Sequence, residues 1–125
     1  MSKVQQVLTL LQNAANPDKA VEMAAYMKKR FDFLGIPTPL RRKLCKPLFK
    51  EMKPQAPDWD FVEACWESPY REMQYVATDY LNALVEQLTP QDLSRIELLI
   101  TRKSWWDTVD ALDKVIGGIF LNFPE

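Results

Sequence analysis

The residues that most restrict how this chain folds are its helix breakers, which cut it into segments of helical length. Proline follows a hydroxyl residue at Thr38-Pro39, Ser68-Pro69 and Thr89-Pro90. Helix starts favour this pairing, because a side-chain oxygen at the N-cap accepts an orphan N–H and proline at N1 lacks only a donor that has no partner there. Between the breakers Leu, Ala, Met, Glu, Lys and Gln dominate, strand-like alternation is absent, and glycine occurs only at 35, 117 and 118. The pattern predicts one helix from about Val4 to Ala15, stopped by Asn16-Pro17, and a second from Asp18 to about Phe33, ended by Leu34-Gly35. Thr38-Pro39 opens a third, with Pro47 inside it as an expected kink. Lys53 to Pro57 reads as a short linker, and Asp58 caps a fourth helix. Ser68-Pro69 opens a fifth, PYREMQYVATDYLNALVEQL, Thr89-Pro90 a sixth, and Ser104 a seventh, with Asp107 in the capping-box position.

Helices joined by such short turns pack as antiparallel neighbours. The openings at Thr38, Ser68 and Ser104 lie 30 and 36 residues apart, the scale of one helical hairpin in an α-solenoid. A shift of 36 residues aligns Met73 with Val109, Val76 with Leu112 and Tyr80 with Ile116. The expected fold is therefore all-α, one domain over residues 1–125 built of stacked antiparallel pairs, with a non-repeating helical bundle as the alternative.

With 47% hydrophobic and 26% charged residues in 125, the chain has the make-up of a globular domain able to bury a modest core. No apolar run approaches the ~18 residues that span a bilayer, so no membrane partner is expected. The first twenty residues read as an amphipathic helix, not a signal peptide. There is no histidine, and Cys45 and Cys65 are too far apart for a CxxC motif. That excludes the usual Cys/His zinc sites, histidine triads and histidine bases. The two cysteines read as buried filler, suited as free thiols to a reducing cytoplasm.

A net charge of −1 hides a division along the chain. Between Lys19 and Lys53 ten lysines and arginines meet three acids, a local balance of +7, whereas from Asp58 onward five bases meet thirteen acids, a balance of −8. Such polarity fits a basic face for a polyanion and an acidic back, though a solvated charged surface accounts for it equally well.

The most informative segment is Thr101-Arg-Lys-Ser-Trp-Trp-Asp-Thr-Val-Asp110, leading into ALDKVIGGIF. At ~100° per residue, Trp105, Val109, Leu112, Ile116, Ile119 and Phe120 form an apolar stripe expected to enter the core. Trp106 falls off that stripe, in the sector of Asp110, Asp113 and Gly117, and it is an i,i+4 neighbour of Asp110. An indole on the charged side of a helix asks for a partner, and Gly117 removes bulk from the same side. Periodicity alone favours the plainer arrangement, with Trp106 packed under a neighbouring repeat and Asp110 paired with Lys114 or Lys103.

SWWDTVD, preceded by LITRK and followed by GGIFLNFPE, resembles the signature of the AlkD-like DNA alkylation repair glycosylases. YMKKRFDFLGIPTPLRR and SPYREMQYVATDYL resemble that family's N-terminal repeats, and the likeness runs collinearly over nearly the whole chain. It implies a HEAT-like α-solenoid whose concave, basic surface cradles double-stranded DNA containing alkylated bases. It also implies hydrolysis of the N-glycosidic bond of purines alkylated at N3 or N7, with the catalytic carboxylate at Asp110, the cleft tryptophan at Trp106, and no metal or organic cofactor. Lys28, Lys29, Arg30, Arg41, Arg42 and Lys43 are candidates for phosphate contacts. Arg41 and Arg42 are the preferred pair, near a helix start where backbone N–H groups also favour phosphate. Arg71 and Glu72 read as structural.

The chemistry suits the residue inventory. A purine alkylated at N3 or N7 is cationic and departs neutral, so it needs little general-acid help. A fixed carboxylate stabilises the oxocarbenium-like sugar and positions water, while an aromatic face contributes roughly 0.5–2 kcal/mol by cation–π contact. Family members run to roughly twice this length, so the chain reads as the N-terminal part of a longer solenoid. It is expected to be inactive or impaired alone and to self-associate through an exposed end repeat. A non-catalytic DNA-binding solenoid and a helical protein-interaction scaffold are the alternatives. Base release from alkylated DNA identifies the enzyme, and salt-sensitive DNA binding without release identifies the first alternative.

Overall fold

Side-chain caps fix three of the seven helix starts in the computed structural model, which describes residues 2–123. Met1, Pro124 and Glu125, the last two being the end of the GGIFLNFPE stretch, lie outside the described residues. Helix α1 (Lys3–Asn13) is capped by the Ser2 hydroxyl, which accepts the Gln5 N–H, and α2 (Pro17–Tyr26) by Asn16, which accepts from Lys19. Helix α3 (Thr38–Met52) has proline in its first turn and keeps Pro47 on an exposed side. Asp58 caps α4 (Trp59–Glu67) through the Phe61 N–H. Helix α5 (Arg71–Ala83) is followed by single 3-10 turns at Val85–Gln87 and Pro90–Asp92, then by α6 (Leu93–Ile100) and α7 (Trp106–Asn122). Thr89 and Asp92 close a reciprocal capping box before α6. Among the described residues there is no strand, only one isolated bridge between Asp32 and Tyr70.

The helices stack as three pairs, α1 on α3, α4 on α5 and α6 on α7, and α5 touches both α3 and α7 in one inner row. Helix α2 is an insert within the first pair. Val7, Leu11, Cys45, Trp66, Val76, Tyr80, Leu84, Leu99 and Leu112 belong to one continuous core. Leu98, Phe120 and Leu121 on the last pair remain exposed.

Several boundaries differ from the sequence reading, some through local turns and others through partners distant in sequence. Helix α2 ends at Tyr26 instead of running to Phe33, because Lys28 and Lys29 turn left-handed (φ 59° and 58°). The chain then runs without helix through residues 31–37, where the buried Glu72 carboxylate accepts the backbone N–H groups of Leu34, Gly35 and Ile36 at 2.9–3.1 Å. Gly35 is required there: its φ is 90°, and a Cβ would stand 2.0 Å from the Asn16 carbonyl oxygen. Helix α5 starts at Arg71, later than Ser68-Pro69, since Ser68 closes α4. Ser104 does not cap α7; Trp105 holds the N-cap position without a side-chain bond, and Asp107 turns to α5 instead.

Replacing Glu72 by alanine strands three buried N–H groups. Each orphaned donor costs about 1–3 kcal/mol, so Glu72→Ala should lower the unfolding free energy in urea by at least about 3 kcal/mol. A loss below about 1 kcal/mol would mean that water serves these groups as well as the carboxylate does.

Candidate nucleic-acid interface

Two adjoining clefts, sharing Arg42 and Asp79, hollow the inner row. The first, about 450 Å³, lies between α2, α3, α5 and the start of α7. Tyr26, Met27, Phe33 and Trp106 line it together with Arg41, Tyr75, Asp79 and Asp107. The second, about 600 Å³, is lined by Arg42, Lys46, Lys50 and Lys53 from α3 and its end, Asn82 from α5 and Lys114 from α7. Arg42, Lys46, Lys50 and Lys53 repeat at i, i+4, i+8 and i+11, so they form one stripe along the helix. The spacing was present in the sequence, where Lys46, Lys50 and Lys53 entered only as part of a charge count; Lys114 required the fold to bring α7 opposite.

Trp106 is 49% exposed and meets the exposed Tyr26 ring edge-on at 6.1 Å between centroids. Asp110 lies one turn on, exposed and outside the cleft lining, and no ion pair within 4 Å engages it among the described residues. The pairing of Asp110 with Lys114 or Lys103 is thus not formed, and the Lys103 ammonium instead donates to the Ser68 carbonyl at 2.6 Å. Gly117 faces open space.

The apolar stripe of α7 is rotated from its expected place by about 60° on the helical wheel. Thr108, Leu112, Val115 and Ile119 are the buried residues, while Trp105 and Val109 are only half-buried and Phe120 is exposed. The cause is Asp107, whose carboxylate is drawn inward to α5. Trp105 is covered by the Arg30 guanidinium, 3.9 Å from its ring centroid, and its indole N–H is buried without a partner.

The basic candidates separate into distinct environments. Lys28 and Lys29 are exposed in the turn after α2, Arg30 stacks on Trp105, and Lys43 is exposed on α3 outside both clefts. Arg42 is exposed at the junction of the clefts, 3.5 Å from Asp79. Arg41 departs from the expected phosphate role. It is buried, its Nε donates to Asp79 at 2.9 Å, its Nη1 reaches the Thr38 hydroxyl at 3.3 Å, and its guanidinium lies 5.0 Å from the Tyr75 ring centroid. The sequence placed both arginines near a helix start, but neighbours on a helix point about 100° apart, and only Arg42 points outward.

Beneath the first cleft, Arg71 is fully buried and grips Asp107 with a two-pronged fork, Nη2 to Oδ1 at 2.6 Å and Nε to Oδ2 at 3.1 Å. Its remaining donors go to the Lys103 carbonyl at 2.8 Å and the Thr108 hydroxyl at 3.0 Å, and its guanidinium stacks 3.6 Å from the Phe31 centroid. The Tyr75 hydroxyl also donates to Asp107. Burial alone would raise the Asp107 carboxyl, but the bonds from Arg71 and Tyr75 outweigh it and hold the group below its ordinary range. Burial, then the bond to Asp107, pushes the Tyr75 phenol up. Both cysteines are free and buried, and burial pushes Cys45 up to about 11 and Cys65 further, which leaves neither as a reactive thiolate. Among the described residues no cluster of three Cys, Asp or Glu side chains is placed to hold a metal ion, and no helix is long and apolar enough to cross a membrane.

The family model described as DNA alkylation repair enzyme matches residues 7–125. A solved structure described as a predicted DNA alkylation repair enzyme from Enterococcus faecalis is similar, with a TM-score of 0.81 and 36% sequence identity over 86% of this chain and 51% of its own. This chain thus spans about half the length of that relative. No curated protein matches it.

Because the folded Asp107 carboxyl ionises more readily than an unfolded one, the stability it contributes is whole above the ordinary carboxyl range and is lost as pH falls through the depressed value. Asp107→Asn should therefore cost about 3 kcal/mol at neutral pH, and the gap to the parent should narrow below about pH 4. Urea unfolding across that range checks this, and an equal gap at about pH 6 and pH 2.5 would contradict it.

Proposed function

The chain belongs to the DNA alkylation repair enzyme family, and from that premise we propose that it is a glycosylase hydrolysing the N-glycosidic bond of N3- or N7-alkylated purines in double-stranded DNA. One observation carries this reading: a half-exposed tryptophan stands in a cleft adjoining a groove lined by five cations. The stripe from Arg42 to Lys53 extends about 16 Å, the axial rise of roughly five phosphates on one strand of B-DNA. Lys114 provides a cation on the opposite wall. Lys28, Lys29, Arg30 and Lys43 stand outside this groove and are the further candidates for phosphate contact. Phosphate contacts of this kind fix the duplex in register without reading sequence.

Glu22 and Asp79 line the cleft from α2 and α5. The two carboxylates nearest to Trp106 on α7 itself are Asp107 and Asp110, and their surroundings divide the roles. Asp107 lines the cleft, yet its oxygens are occupied by Arg71, Tyr75 and the Thr108 N–H. A carboxylate already neutralised by a buried arginine has little left to offer a developing positive charge. Asp110 is exposed and free of any ion pair among the described residues. We therefore assign it the catalytic carboxylate: it stabilises the oxocarbenium-like deoxyribose as the cationic base departs neutral, and it orients the attacking water. Trp106 and Tyr26 supply aromatic faces for the sugar and the lesion, worth roughly 0.5–2 kcal/mol by cation–π contact.

Asp110→Asn keeps size and removes the charge, so release of base from a duplex holding one N7-methylguanine should fall roughly 10²–10³-fold while DNA affinity holds or tightens slightly. Since the chain spans about half the length of the solved relative, the rate is best read in single turnover with protein in excess. Undiminished release by a folded variant would move the catalytic assignment elsewhere. For the groove, Lys46→Ala with Lys50→Ala should weaken binding and flatten the dependence of log affinity on log salt by nearly two, at about 0.9 per phosphate contact. An unchanged slope would remove these lysines from the DNA path.

A further inference from the structure

Trp106 is half-exposed and meets only the edge of the Tyr26 ring among the aromatic pairs of the described residues, Tyr26 itself being exposed, so the direction of the indole depends strongly on the backbone that carries it. That backbone lacks the usual means of fixing a helix start, because no side-chain hydrogen bond caps α7. It is gripped from α5 instead. Arg71 holds the Lys103 carbonyl on one side of Trp106 and the Asp107 carboxylate and Thr108 hydroxyl on the other. Lys103 is left-handed, with φ 52°, so the chain turns sharply at the first of these anchors. Tyr75, one turn beyond Arg71 on α5, adds its hydroxyl to the Asp107 oxygen that also receives the Arg71 Nε.

We propose that Arg71 and Tyr75, acting through Asp107, are positioning residues that set the rotation of the first turn of α7 and thereby aim Trp106 into the cleft. Three geometric facts carry this. Residues 106 and 107 project about 100° apart, so pinning the Asp107 side chain to α5 fixes the direction left to Trp106. The planar guanidinium engages both carboxylate oxygens, which fixes orientation as well as distance, as an ammonium would not. Arg71 is fully buried, with Nε, Nη1 and Nη2 all engaged, so it works through Asp107 and not on the nucleic acid. Tyr75 completes the arrangement: its ring lies 5.0 Å from the Arg41 guanidinium carbon and 5.9 Å from that of Arg71, and it links the Asp79 and Asp107 ion pairs across α5.

The functional part of this inference rests on the glycosylase reading, and the test separates the two. The protein is labelled with 5-fluorotryptophan, and the Trp106 fluorine resonance is identified by its loss in Trp106→Phe. Tyr75→Phe removes a single hydroxyl and should leave the thermal midpoint within a few degrees of the parent. Asp107→Asn is the stronger perturbation. Both should shift and broaden the Trp106 resonance. Both should also lower the rate of base release from an N7-methylguanine duplex by about tenfold or more, with affinity for that duplex changed by less than about twofold, as expected when an oriented group is misplaced and not removed. An unmoved Trp106 resonance in folded Tyr75→Phe and Asp107→Asn overturns the proposal, as does a rate that falls only in step with DNA affinity. If the parent releases no base while the resonance moves as described, the positioning of Trp106 by α5 stands independently of the glycosylase reading.

Discussion

Two adjacent residues of opposite charge, Arg71 and Glu72, are buried at the start of α5, and the inner row is organised around them. Charges without water need partners, and breaking a buried, hydrogen-bonded charge costs about 3–5 kcal/mol. Each partner set here lies in a loop or at a helix start. Glu72 collects the N–H groups of the loop before α3, and Arg71 collects the carbonyl and carboxylate at the entrance to α7. The backbone N–H of Arg71 also donates to the Asp32 carbonyl, and its guanidinium stacks on Phe31. One turn of one helix thus fastens the repeat on either side of it, and the Arg71–Asp107 separation of 36 residues matches the spacing of the helix openings.

The same economy of pairing shapes the charge of the surface. Asp79 and Asp107 are drawn into ties with Arg41, Arg42 and Arg71, which binds the inner row together and removes two negative charges from the cleft. The cations of the α3 stripe other than Arg42 take part in no ion pair within 4 Å among the described residues. The groove is positive because its acids are spent internally, and the chain's near-neutral net charge says little about it. Asp110 has no such tie among the described residues, and neither has Glu22 on the α2 side of the cleft, so their charges remain available.

How much of this was legible in the sequence depended on how far away each residue's partner lies. The Asp58 cap and the helix opening at Thr89-Pro90, each bonded three residues on, were readable from local pattern, and so were the all-helical class and the paired organisation. Asn16 was legible only as a stop, and its capping of α2 was not read. The non-helical run before α3, the burial of Arg41 and the rotation of α7 were not legible either, because their causes are Glu72, Asp79 and Arg71, each more than thirty residues distant. Asp107 shows the difference well. Its position after Ser104 fits a capping box, yet a buried guanidinium competes for the same carboxylate and wins. Trp106 was picked out correctly as an indole off the apolar stripe, although the stripe itself lay about 60° from where periodicity put it.

The account's central claim is that the α3–α5–α7 row is the face that meets damaged DNA, and amide hydrogen exchange tests it most directly. Exchange is compared with and without a duplex bearing one N7-methylguanine. The account predicts slowed exchange along α3 from Arg42 to Lys53 and in the first two turns of α7, with α4 and α6 unchanged. Protection concentrated on α4 and α6, with α3 and the start of α7 unaffected, would place the nucleic acid on the opposite side of the molecule and contradict it.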